Sequence, residues 1–124
     1  MELTINSVAA GLDTVWVLLC AALVFLMEAG FAALEAGFVQ SRNSLNIIMK
    51  VFMDCTIGLI GFFICGFGLM YGTDVLSIFG ISGFLMQGDL SHLNLKIPVE
   101  AFWLFQAAFA IAMATIVSGA VAER

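Results

Sequence analysis

Charge is scarce in this chain. Only 10% of its 124 residues are Asp, Glu, Lys or Arg, whereas 63% are apolar. Soluble domains carry about 25% charged residues. A chain this short leaves too much surface exposed to hide such an apolar load from water. With a mean hydropathy of +1.14, most of it has lipid as its solvent. Basic runs and polar low-complexity segments are absent, which leaves nucleic-acid binding nothing to rest on. No nucleophile–base pair and no Cys/His cluster is present, so an enzyme, a metal centre and a bound cofactor are not expected. Cys20, Cys55 and Cys65 fall in apolar runs without CxxC spacing and read as buried free thiols. His92 is the only histidine; one imidazole makes no metal site, and it reads as a solvated loop residue. Residues 1–12 lack the basic start of a cleaved signal peptide, and the apolar stretch behind them is too long for one. They read as the start of a signal-anchor span.

What the chain does have is three long apolar runs, at about 14–40, 45–71 and 99–122. Each exceeds the roughly 20 residues a helix needs to cross a bilayer. Three strands could not close a barrel, so helices are the only solution that satisfies the backbone in lipid. The expected fold class is all-α and polytopic. The link Ser41-Arg42-Asn43-Ser44 is short and polar, with Asn43 or Ser44 as the N-cap of the second helix. The link 72–97 is longer and rich in turn formers; its middle, 75–86, is too short to span and is expected at the interface. Pro98 and Glu100 suit the start of the third helix. Arg42, Lys50 and Arg124 gather at one side, which the positive-inside rule makes cytoplasmic. The other side holds Glu2, Asp13, Asp74, Asp89 and Glu100 against Lys96, with Trp16, Tyr71 and Trp103 as interface anchors. The N-terminus is therefore expected outside.

Polar residues inside the spans are few and costly. Glu28 and Glu35 are seven residues apart, on one helix face, within a duplicated Glu-Ala-Gly-Phe. One reading is a proton or cation site. The other, the commoner role of such acids, is a pair of carboxyls bonded into a helix bundle, with Glu35 reaching Arg42 or water. Ala29, Ala33 and Gly37 on the first span, and Gly58, Gly61, Gly66 and Gly68 on the second, would let helices approach closely. Lys50 and Asp54 have i,i+4 spacing, which predicts a local ion pair with the lysine reaching out to the cytoplasm. In the third span Phe102, Phe105 and Phe109 surround Trp103 and Gln106. Phe105 and Phe109 share a face. Such rings can block water yet attract a desolvated cation; they can also be ordinary packing.

The run FLMEAGFAALEAGF, followed by SRNSLNIIMK, resembles the first helix and first cytoplasmic turn of the Amt/Mep/Rh ammonium transporter family. The run FWLFQAAFAIAMATIVSGAVAER resembles that family's third helix, including the FQxxF segment and the closing AER. The two stretches lie in the family's order and spacing. Together they cover most of this chain, as the N-terminal part (1–124) of a fold of about eleven membrane helices.

The resemblance implies passage of ammonium or ammonia through a hydrophobic pore, one pore per subunit of a homotrimer, in a cell membrane such as the bacterial inner membrane. It implies an outer vestibule that recruits the cation on aromatic faces, two phenylalanines that gate the pore, and paired histidines below. Phe109 matches the third-helix phenylalanine at the recruitment site and gate, and Phe105 its neighbour one turn outward. Trp103 and Gln106 are candidates for the vestibule or for packing; Glu28 and Glu35 are assigned to structure. A cytoplasmic regulator of the PII type is an implied partner beside the lipid bilayer. The vestibule tryptophan, the second gate phenylalanine and the pore histidines match nothing before Arg124, and His92 is not one of them. A truncated chain that does not conduct alone is the expectation. Competing readings are an ammonium-sensing domain joined to a signalling module, a Rhesus-type gas channel, and a small three-span protein without transport activity.

Overall fold

The computed structural model describes residues 4–75, 79–88 and 90–122. Glu2, Asp89 and Arg124, used above to orient the chain, lie outside the described residues. Three helices are long and apolar enough to cross a membrane. The first, α1, is Ile5–Phe38. At 1.5 Å per residue it is about 51 Å long, well beyond the roughly 30 Å of a hydrocarbon core. It begins at Ile5, before the apolar run does, because residues 5–13 contain no proline to break a helix. Ser7 and Thr14 bond back to the carbonyls of Thr4 and Ala10 at 2.8 and 2.7 Å. Hydropathy marks the part in lipid, whereas backbone bonding sets the ends of the helix.

A 3₁₀ turn, Ser41–Asn43, joins α1 to α2, Ser44–Gly61. Asn43 stands at the N-cap without a side-chain capping bond. The Ser44 hydroxyl instead donates to the Ala36 carbonyl at 3.2 Å and ties the start of α2 to the end of α1. The second span then departs from a uniform helix. Phe62–Gly66 is a π-helical segment, followed by α3, Phe67–Tyr71. Gly66 makes this local widening fit: a side chain there would meet the Phe62 ring at 2.7 Å. Such segments tend to occur at functional sites.

Beyond Tyr71 the chain makes a small cap. Strands β1, Asp74–Val75, and β2, Phe79–Gly80, pair antiparallel with Asp74 opposite Gly80. Thr73 donates its amide to the Ser82 hydroxyl at 2.9 Å. Gly72 and Gly80 lie against the Gly68 carbonyl, where a side chain has no room. His92 is more than a solvated residue, since its Nε2 lies 2.8 Å from the Tyr71 carbonyl and pins the cap to the end of α3. The last helix, α4, is Val99–Ala120, with Pro98 one residue before it and Glu100 in its first turn.

α1, α2 and α4 each contact the other two. On α1 the buried residues are Ala21, Glu28 and Glu35, a seven-residue spacing that returns to one face. This seam lies on α4, which buries Ala101, Ala107, Ala108, Ile111, Ala112 and Thr115. The Ala29, Ala33 and Gly37 stripe does not do the packing expected of it. All three are exposed, and a side chain at Gly37 would meet nothing. Their face lies away from the seam. Gly58 does pack closely, against Ile111. All three cysteines are free, but none is fully buried: Cys20 and Cys55 are half-buried and Cys65 is exposed on the outside of the bundle. Leu12, Leu19, Leu26, Phe52, Met113 and Val117 are among many exposed apolar side chains, as a lipid-facing surface requires.

Candidate functional site

The loop end of the bundle is aromatic. A core of Phe62, Phe67 and Ala107 gathers Tyr71, Phe102 and Trp103 around it. Trp103 meets Phe63 edge-on at 5.8 Å and Phe62 at 6.3 Å. Phe102 meets Tyr71 edge-on at 4.9 Å. The π segment brings Phe62 and Phe63, successive residues, onto the same indole. Trp103 Nε1 is buried and has no hydrogen-bond partner among the described residues. These rings turn toward the second span.

Phe105 and Phe109 form a separate pair, centroids 5.0 Å apart and planes at 71°. Edge-to-face contact of this kind adds about 0.5–1.5 kcal/mol to packing. Phe109 is 46% exposed, on a part of α4 that neither α1 nor α2 covers. Gln106, half-buried, sits between them along the helix. Of the four α4 residues singled out from sequence, Trp103 thus packs on the π segment, Phe105 and Phe109 pair with each other with Phe109 facing outward, and Gln106 lies half-buried between Phe105 and Phe109 in the chain.

The hairpin end is polar. Glu28 and Glu35 are each only 6% exposed. Glu28 Oε2 accepts from the Thr115 hydroxyl at 3.0 Å. Glu35 Oε2 lies 3.3 Å from Lys50 Nζ, so its partner is Lys50 rather than Arg42. Lys50 also pairs with Asp54 at 3.4 Å, as its spacing predicted, and its part-exposed side chain bonds across to the other two helices. It donates to the Ser118 hydroxyl as well, and Ser118 in turn lies 3.2 Å from Asp54 Oδ2. Gly119 completes the fit, since a side chain there would come within 2.6 Å of Glu35 Oε1. Sequence reading missed Thr115, Ser118 and Gly119. The signal was there: two hydroxyls and a glycine at i, i+3 and i+4 share a helix face.

A cleft of about 540 Å³ opens beside Glu35 between the ends of α1 and α4, walled by Phe31, Leu34, Phe38 and Ile116. Among the described residues no group of His, Cys, Asp and Glu has a metal-binding arrangement.

A family model described as the Ammonium Transporter Family matches residues 15–124. The chain belongs to the ammonium transporter family. It is 44% identical over 112 residues to "Ammonium transporter Amt2" of Archaeoglobus fulgidus, covering 90% of this chain and 23% of that protein. With "Ammonium transporter Amt1" of Haloferax mediterranei it shares 41% over 119 residues, 96% of this chain and 22% of the other. A solved structure named "Sensor Amt Protein" superposes with a TM-score of 0.86 at 35% identity, over 97% of this chain and 29% of that one. The chain thus spans about a quarter of the length of such family members. It is a multi-pass, all-α membrane protein of the ammonium transporter fold, and the relatives are named for transport rather than catalysis.

Proposed function

We propose that the chain is the N-terminal part of a protein that carries ammonium or ammonia across a cell membrane through a hydrophobic pore. The observation that carries this reading is the Phe105–Phe109 pair, with Phe109 exposed on a face of α4 that α1 and α2 leave open. Ring faces attract a cation that has shed its water. A dry passage beyond them is costly for any ion and less so for neutral ammonia. Ammonium, unlike potassium, can leave a proton behind. Phe109 bounds the recruitment site and gate, and Phe105 supports its ring. Trp103 and Gln106 hold this wall in place by packing, and Glu28 and Glu35 are structural. The hairpin end faces the cytoplasm and the N-terminus lies outside. The whole protein works as a homotrimer, with a cytoplasmic PII-type regulator as a further partner. The exposure of Phe109 among the described residues supports the reading that the chain by itself does not conduct.

The test is methylammonium uptake by the full-length protein in cells without transporters of their own. Phe109→Ala should change uptake or admit potassium, with protein level unchanged. Uptake and potassium exclusion both equal to wild type would remove Phe109 from the gate. A second reading, an ammonium sensor, is favoured by the likeness to the structure named "Sensor Amt Protein". A signalling domain in the same full-length chain would decide for it.

A further inference from the structure

Lys50 is a part-buried cation at the hairpin end of the bundle, held by partners on three helices. Its side chain is 32% exposed, and its ammonium stands among one acceptor from each long helix. Glu35 Oε2 on α1 is at 3.3 Å, Asp54 Oδ2 on α2 at 3.4 Å, and Ser118 Oγ on α4 completes the set. A primary ammonium carries three N–H donors; here two of them donate, to Glu35 and Ser118, and the Asp54 carboxylate adds an ion pair. The Ser118 hydroxyl is itself held, 3.2 Å from Asp54 and 3.0 Å from the Thr115 carbonyl. The acceptors bring two carboxylates against one base. Glu35, 6% exposed, still has its second oxygen, Oε1, buried without a donor among the described residues. Lysine alone therefore does not exhaust the donors this carboxylate can accept.

We infer that Glu35, Asp54 and Ser118 form a binding site for primary ammonium groups, which the chain keeps filled with its own tethered alkylammonium, Lys50. The site discriminates by donor geometry. Potassium has charge but no N–H. Tetramethylammonium has the charge and presents only methyl groups. A guanidinium offers a flat fork that does not match three oxygens around a point. While Lys50 occupies the site no free amine can enter, and the three helices are drawn together at the hairpin end. Cutting Lys50 back to Ala removes the chain from Cγ to Nζ, which has the length and head of n-propylammonium.

The inference stands apart from the transport reading, because its readout is binding. The 124-residue chain, purified in detergent, is compared as wild type, Lys50→Ala and Lys50→Met by circular dichroism during heating. Lys50→Ala should unfold at lower temperature. n-Propylammonium chloride should raise its midpoint saturably, by about 4 °C or more. Tetramethylammonium and potassium chloride at equal ionic strength should not. Wild type and Lys50→Met, whose slot is filled, should not respond. A response of Lys50→Ala to all three salts alike, no saturable response, or an equal one in Lys50→Met would overturn the site. If Lys50→Ala is recovered folded only when purified in n-propylammonium, that supports it; failure to recover it even then counts against it.

Discussion

The two ends of this bundle are held together by different physics. At the loop end, rings from the π segment, α3 and α4 stack around Phe62, Phe67 and Ala107. Many apolar shapes could fill that space. At the hairpin end, α1, α2 and α4 meet through specific donors and acceptors: Glu28 with Thr115, and Lys50 with Glu35, Asp54 and Ser118. In lipid, apolar burial does not drive helices together as it does in water, so close packing and polar bonds carry the association. The loop end should therefore be sensitive to lost volume, and the hairpin end to lost geometry.

The largest effect separating the two should come from Phe67→Ala. Phe67 is 0% exposed, and truncating a buried phenylalanine costs about 3–5 kcal/mol in water-soluble cores. With lipid as the solvent the lower end, about 3 kcal/mol, is expected in a detergent titration of helicity. Phe67→Leu should recover most of it. If the two variants are equally weak, ring shape rather than volume governs the loop end.

Gly119→Ala tests the opposite end by addition. The new methyl would lie 2.6 Å from Glu35 Oε1, and Glu35 is held by Lys50. Overpacking of this kind costs about 1–3 kcal/mol. The same titration should show the loss for Gly119→Ala and none for Gly37→Ala, where nothing is met. Equal behaviour of the two would break the contrast between the buried seam and the exposed stripe.

The smallest effect is the loss of one hydrogen bond. Thr115→Val keeps the volume but removes the donor to Glu28 Oε2, whose other oxygen already lacks one. A cost of about 1–2 kcal/mol is expected, largely restored in Thr115→Ser. Should Thr115→Val match wild type, shape and not bonding sets the hairpin end as well.

Much of this was legible in the sequence. The three apolar runs gave the helices, and the short polar link gave the hairpin. The i,i+4 spacing predicted the Lys50–Asp54 pair, and the seven-residue spacing placed Glu28 and Glu35 on one face. Other features were not. The π segment was hidden because a helix widened over 62–66 looks in composition like any apolar run. The Ala29-Ala33-Gly37 stripe misled, because small size permits close approach without requiring it. Arg42 is the base nearest Glu35 in sequence, yet Lys50, fifteen residues on, is the one that reaches it. Helices brought side by side match depths in the membrane, not positions in the chain.

The sequence by itself determined that this chain lives in lipid as helices, because its backbone has no other way to satisfy its bonds there, and its motifs placed it in its family. Tertiary structure alone decided which face of each helix is inside. That choice depends on which hydroxyls, small residues and rings lie at equal depth on neighbouring helices, a relation that no single stretch of residues contains.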